Sequence, residues 1–247
     1  MRVHSYTIVH YGADYVCYAL RSVYDQVEKL HVFYTPHPSH SHRVDVPPPE
    51  SRDEIATAAL ACDPEGKIIW HETDIWQEGP QRDYAVDVCR QAGAEMVLVV
   101  DYDEVWHDAT LEKALRHAWE SNSVHNWLLN FTTLWRSFGW VCHDELWPVR
   151  IKDLRHVEGT AYLPRELGET YHFGYAVRDE IMRYKWLVHG HKNEALPGWW
   201  RDKWEAWPPP ENCHPTCEHF WNPEPFDRAE LPALLREHPF YNLERIE

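Results

Sequence analysis

The segment VLVVDYDEVWHD, Val97 to Asp108, gathers chemistry-bearing residues more densely than any other part of the chain. Four branched apolar residues run straight into Asp101, Tyr102, Asp103 and Glu104. Carboxylates so close repel one another, so a cationic partner is expected beside them. In extended backbone the side chains of Asp101 and Asp103, at i and i+2, point the same way. Both can then meet one hard divalent cation, Mn²⁺ or Mg²⁺, which favours oxygen ligands and keeps phosphate oxygens in its shell. A cation so held can bridge a diphosphate and neutralise the charge that develops as it leaves. The plainer role for such a pair, capping the helix that follows, is assigned to Asp108.

The elements around this cluster alternate in type. His4–Tyr11 reads as a strand, followed by a helix whose apolar positions Leu20, Val23, Tyr24 and Val27 share one face. LHVFYT and KIIWHE read as the second and third strands. A Pro- and His-rich loop (TPHPSHSHRVDVPPPE) and the short helix RDEIATAALAC lie between them. PQRDYAVDVCRQAG is a helix stopped by Gly93, and EMVLVVD is an almost wholly apolar fourth strand, as for one buried on both faces of a parallel sheet. This rhythm predicts an open α/β sheet with a ligand crevice at the carboxyl ends of its strands, where the carboxylates fall. Beyond residue 120 the pattern changes. VHNWLLNFTTLW, WPVRIK and TYHFGYAV read as strands, RDEIMRYKWLV as a helix, and Trp207–Pro225 as an extended Pro- and Trp-rich tail, with one short helix expected in ELPALLREHPF. One domain is expected over residues 1–247, comprising 1–120, 121–206 and the tail 207–247.

Composition narrows the partners. The 247 residues carry a net charge of −16, with 14 Trp, 13 Tyr and 18 His. That charge argues against a general nucleic-acid coat, although Arg178–Glu205 sets six basic residues against five acidic ones. MRVHSYTIVH lacks a signal-peptide core and no run is long enough to span a bilayer, so no membrane insertion is expected. Six scattered cysteines suggest a reducing cytoplasm rather than a disulfide framework. Cys213, His214, Cys217 and His219 are zinc-capable types, crowded more tightly than paired-ligand spacing favours. P-loop, G-x-G-x-x-G and G-x-S-x-G motifs are missing from the sequence.

The order YALRSVYDQVEKLHVFY, then QRDYAVDVCRQAGAEMVLVVDYDEV, resembles the nucleotide-sugar-binding half of family 2-like glycosyltransferases of the GT-A fold, over roughly residues 4–120. The resemblance implies a Rossmann-like, mostly parallel sheet flanked by helices, with a mixed acceptor half. It implies a nucleotide diphosphate sugar as donor, UDP-linked by preference, and an inverting transfer to a hydroxyl acceptor. In that likeness His10 and Tyr11 hold the nucleobase, Arg82 approaches the nucleotide, and Asp101 and Tyr102 lie near the ribose. Asp101 and Asp103 meet the metal, and a late His, here His172, completes its shell. Where relatives carry an acidic residue after the second strand, this chain has TPHPSH. An inverting enzyme also needs a base for the acceptor hydroxyl, and HDEL offers Asp144 and Glu145. Trp135, Trp140 and Trp147 flank that base as an acceptor platform. His189, His191 and Lys192 are further groups able to reach a phosphate. The acceptor is a glycan, a protein side chain, a small molecule or a hydroxymethylated base in DNA. The alternatives are a degenerate nucleotide- or sugar-binding module and a zinc-stabilised interaction protein.

Overall fold

The computed structural model describes residues 1–38, 46–75, 77–121, 123–143, 147–217 and 220–247. In chain order its strands are β1 (Val3–Val9), β2 (Lys29–Tyr34), β3 (Ile68–Glu72), β4 (Met96–Val99), β5 (Glu104–Trp106), β6 (Asn126–Leu128), β7 (Phe131–Trp135), β8 (Trp140–His143), β9 (Val149–Asp153), β10 (Thr160–Tyr162), β11 (Thr170–Tyr175) and β12 (Glu224–Pro225). The helices are α1 (Val16–Val23), α2 (Arg52–Leu60), α3 (Glu78–Gln91), α4 (Asp108–Glu120) and α5 (Asp179–Val188).

The larger sheet runs β10-β6-β9-β4-β1-β2-β3. Strands β3, β2, β1 and β4 are mutually parallel, and β9 then pairs antiparallel to β4. The chain moves outward from β1 through β2 to β3 and returns to β4 on the other side of β1. The crevice at such a reversal is where open α/β sheets bind ligands. Both faces are covered. Val16, Leu20, Ile55, Leu111 and Leu115 pack on one side, while Ala85, Val86 and Cys89 of α3 pack against Tyr6, Phe33 and Val97 on the other. Burial on both faces explains why β4 carries no polar residue.

Three local differences from the sequence reading have simple causes. Helix α1 stops at Val23 and tightens into a 3₁₀ turn over Tyr24–Gln26, so Val27 lies beyond it. His107 rather than Asp108 caps α4, its ring accepting from the Ala109 amide. VHNWLLNFTTLW is two strands in different sheets, because the chain crosses between them at Leu129–Asn130. The smaller sheet, β12-β8-β7-β11-β5, covers a second core rich in Trp, into which the tail packs through Trp221, Leu231, Leu235 and Ile246. No helix among the described residues is long and apolar enough to cross a membrane.

Candidate functional site

At the reversal of the larger sheet lies a cavity of about 230 Å³, bounded by the ends of β1, β2 and β4, the start of α3 and the middle of β11. His10, Tyr11, Arg82, Asp101, Tyr102, Asp103 and His172 all line it. These seven come from four separate chain segments, and parallel pairing of β1 with β4 brings the first two beside the aspartates.

Each side chain is held by identifiable contacts. His10 is buried, its Nδ1 2.9 Å from the Thr35 carbonyl and its Nε2 2.8 Å from the Tyr184 hydroxyl. The carbonyl can only accept, so Nδ1 donates and Nε2 accepts, and burial lowers the pKa of this neutral ring. Tyr11 stands edge-on to Tyr102 and Tyr184. Tyr102 lies against Gly12, where φ is +125° and an added Cβ would come within 2.0 Å of the Tyr102 ring. Glycine is therefore required there twice over, by backbone and by contact.

The carboxylates do not share one extended stretch. Strand β4 ends at Val99, and the Glu104 amide donates back to the Asp101 carbonyl at 3.0 Å, so Asp101–Glu104 is a turn. The side chains accordingly find different partners. Asp101 accepts from Arg82 at 3.2 Å and from Arg150 at 2.8 Å. Burial works against its charge, but the two guanidinium groups outweigh it and hold the carboxyl well below the usual range. Glu104, nearly inaccessible, pairs with the same Arg150, and burial still pushes its carboxyl up. Asp103 lies 3.6 Å from His172 Nε2, and despite burial its pKa is lowered, first by His172 and then by Lys185. His172 in turn sits 3.3 Å from the Thr133 hydroxyl and edge-on to Phe131. Much of the cation expected beside the cluster is thus supplied by the protein itself.

Among the described residues no three metal-ligating side chains converge. The pair Asp103–His172 still presents an oxygen and a nitrogen donor to one cavity. That set fits an Mg²⁺ or Mn²⁺ ion completed by phosphate oxygens and water, as such ions are commonly bound. Asp101 borders the same space with its oxygens engaged by arginine.

Sequence reasoning missed several residues. Arg150 carries two of the three carboxylates. Its signal was a charge between Val149 and Ile151 in an apolar strand, where burial demands a partner. Gln81 is fully buried in the cavity wall, with neither amide atom paired among the described residues. Glu50 accepts from the amides of Gly12 and Ala13 and pairs with Arg178. These amides of the first strand-to-helix turn are a place where many nucleotide-binding sheets hold phosphate; here a carboxylate of the chain takes them.

Other expected residues fall elsewhere. Asp144 and Glu145 lie outside the described residues. Trp135 is fully buried, stacked on Tyr175 and hemmed in by Trp199, Trp204 and Trp221, so it has no face for an acceptor. Trp140 meets Trp207, and Trp147 meets Tyr162, so the three indoles form no common platform. Both faces of β7 are covered, which puts Trp135 in the core. His189 borders the cavity, while His191 pairs with Glu194, and Lys192 bonds the Leu187 carbonyl. Cys213 is buried with its sulfur 3.9 Å from that of Cys142, and Cys217 is exposed; His219 lies outside the described residues.

No known family model matches the chain, and no curated protein matches it. Among solved structures it is similar to the inositol-1-phosphate CTP transferase from T. maritima, with a TM-score of 0.34 and 11% identity over 61% of this chain and 67% of that one. So slight a likeness says nothing about activity.

Proposed function

We propose that this protein is a metal-dependent glycosyltransferase of the GT-A type. It would transfer a sugar from a nucleotide diphosphate, UDP by preference, to a hydroxyl acceptor, with inversion expected from the family resemblance. The observation that carries this reading is the convergence of the β1 end, Arg82, the Asp-Tyr-Asp turn and His172 on one cavity at the sheet's reversal.

In this reading the nucleobase lies along His10 and Tyr11, with ribose near Tyr102 and Asp101. Asp103 and His172, with Asp101, would hold Mn²⁺ or Mg²⁺, and the chemistry so supplied would be to offset the negative charge of the departing diphosphate. Arg82, fixed by Asp101 and by Glu78 at 3.0 Å, points its charge to the same side and adds to that stabilisation. Asp144 or Glu145, just after β8, takes the proton of the acceptor hydroxyl. Calorimetric titration with UDP, GDP and their sugars, with Mn²⁺ and with EDTA, tests the reading. One nucleotide should bind only with metal, and Asp103→Ala should weaken it at least ~100-fold, the loss expected for an interaction of about 3 kcal/mol. Absence of binding by all of them would sink the proposal.

A second reading has its own observation. Because Arg82 and Arg150 already neutralise Asp101 and Glu104, the cavity is also suited to holding a nucleotide without metal or turnover. Binding unchanged by EDTA, with no transfer to any acceptor, would favour that module.

A further inference from the structure

A second cavity, of about 470 Å³, opens beside the first and shares His172 and His189 with it. Its walls come from the smaller sheet, α5 and the tail, none of which forms the nucleotide-side crevice alone. Phe131, Tyr175, Trp186 and Trp221 supply ring surface, and Lys185, Glu194, His214 and Thr216 supply polar groups. Trp221 is only 6% exposed, yet its indole Nε1 has no partner among the described residues, and the same holds for Trp186 Nε1.

From these walls we infer that the second cavity binds a neutral sugar ring, the acceptor of the transfer, stacked on Trp186 with its hydroxyls at Glu194 and Thr216. The word acceptor rests on the donor reading above; the sugar site does not. Flat aromatic faces suit the apolar C–H face of a pyranose, and a few convergent polar groups suit its hydroxyls. Charge decides against the other ring-shaped ligands. Lys185 is spent on the Gly174 carbonyl at 2.9 Å, and Glu194 bonds His191 at 2.9 Å, so the walls carry one fixed charge of each sign and favour neither an anion nor a cation. A nucleobase in a strand would bring phosphates to a chain of net charge −16. The shared imidazoles of His172 and His189 place such a ring next to the site where a donor sugar would end.

The test is saturation-transfer NMR on the whole protein with the methyl glycosides of glucose, galactose and mannose, and with thymidine as the nucleobase probe. At least one glycoside should receive transfer on its ring protons, with Kd on the order of 1 mM for so small a ligand. Trp186→Ala should weaken that binding at least ~10-fold through lost stacking, and Glu194→Gln, an exposed change that leaves folding intact, by ~3–10-fold through a weakened hydrogen bond. No transfer to any glycoside, transfer to thymidine instead, or binding unaffected by both substitutions would each overturn the inference. Calorimetry with UDP and Mn²⁺ on the same sample separates the two proposals, because glycoside binding without nucleotide binding would sink the donor reading and leave this one standing.

Discussion

Gly174 lies on β11 between His172 and the Asp103 turn, and the Asp103–His172 pairing depends on its missing side chain. A methyl placed there would stand 2.5 Å from His172 Nε2 and 2.9 Å from Asp103 Oδ2. Its backbone needs no glycine, so Gly174→Ala acts by contact alone. To restore ordinary contact the imidazole must retreat by roughly 1 Å and the carboxylate by about half that, which drives apart two groups now 3.6 Å from each other. Overpacking of this kind costs about 1–3 kcal/mol, or a fall in Tm of roughly 2–10 °C for a chain of this size. A displacement of ~1 Å in a reacting site costs up to ~100-fold in turnover. Gly174→Ala should therefore remain folded and lose metal-dependent UDP binding at least ~10-fold. Gly79→Ala, where an added Cβ meets nothing within 4 Å, should leave both unchanged or gain slightly in stability. Calorimetry and thermal melting of the two variants side by side give the comparison. Wild-type affinity in a folded Gly174→Ala protein would show that the Asp103–His172 spacing has no part in nucleotide binding.

Two further expectations concern stability. His31, buried among His4 and His71, and His238, buried against Tyr15, have pKa values lowered to about 4 from 6.5, in both chiefly by burial. Both are neutral when folded, so below pH 6.5 the unfolded chain binds more protons. Stability should fall as pH drops from 6.5 towards 4, by up to about 3 kcal/mol for each ring. Urea midpoints across that range should show a shallower slope in His238→Gln, and an equal slope would refute the assignment. Arg136, inaccessible to solvent, binds Asp179 at 2.6 Å, the Ile246 carbonyl at 2.9 Å and the Trp204 carbonyl. Arg136→Met should cost about 3–5 kcal/mol in urea unfolding, because a carboxylate and two carbonyls lose their donor together; a loss under ~1 kcal/mol would mean they find others.

The parts of the fold legible from sequence are those governed by one rule acting locally. Strand β4 read correctly because burial on both faces makes it a short apolar run, β1 to β3 because they are rich in β-branched and aromatic residues, and the β–α alternation then implies parallel pairing. Patterning also located the cavity, since a strand that ends in carboxylates must end somewhere polar. What remained hidden depends on residues far apart in sequence. Arg150 is 49 residues from Asp101, and Glu50 is 38 from Gly12. The turn at Asp101–Glu104 was invisible because no Gly or Pro marks it. Leu129–Asn130 likewise gives no sign that one apolar run serves two sheets. Trp135 was misjudged because an aromatic near polar residues reads the same whether it faces solvent or core, and only the pairing of β7 with β11 decides.

The backbone passes from the larger sheet to the smaller between β4 and β5, between β6 and β7, and between β10 and β11. The first two crossings are fastened. The Val100 amide bonds Tyr6, the Phe173 amide bonds Asp103, and the Leu129 amide bonds Pro148, at 3.1, 2.7 and 3.0 Å. The turn is held to the larger sheet at Val100 and to the smaller at Asp103, so swinging one sheet away from the other would pull the Asp-Tyr-Asp turn out of shape. The two cavities therefore behave as a rigid mould rather than as jaws. A ligand gains little by closing the molecule around itself, and selectivity falls to the fixed size of each hollow and to side chains able to turn at its mouth.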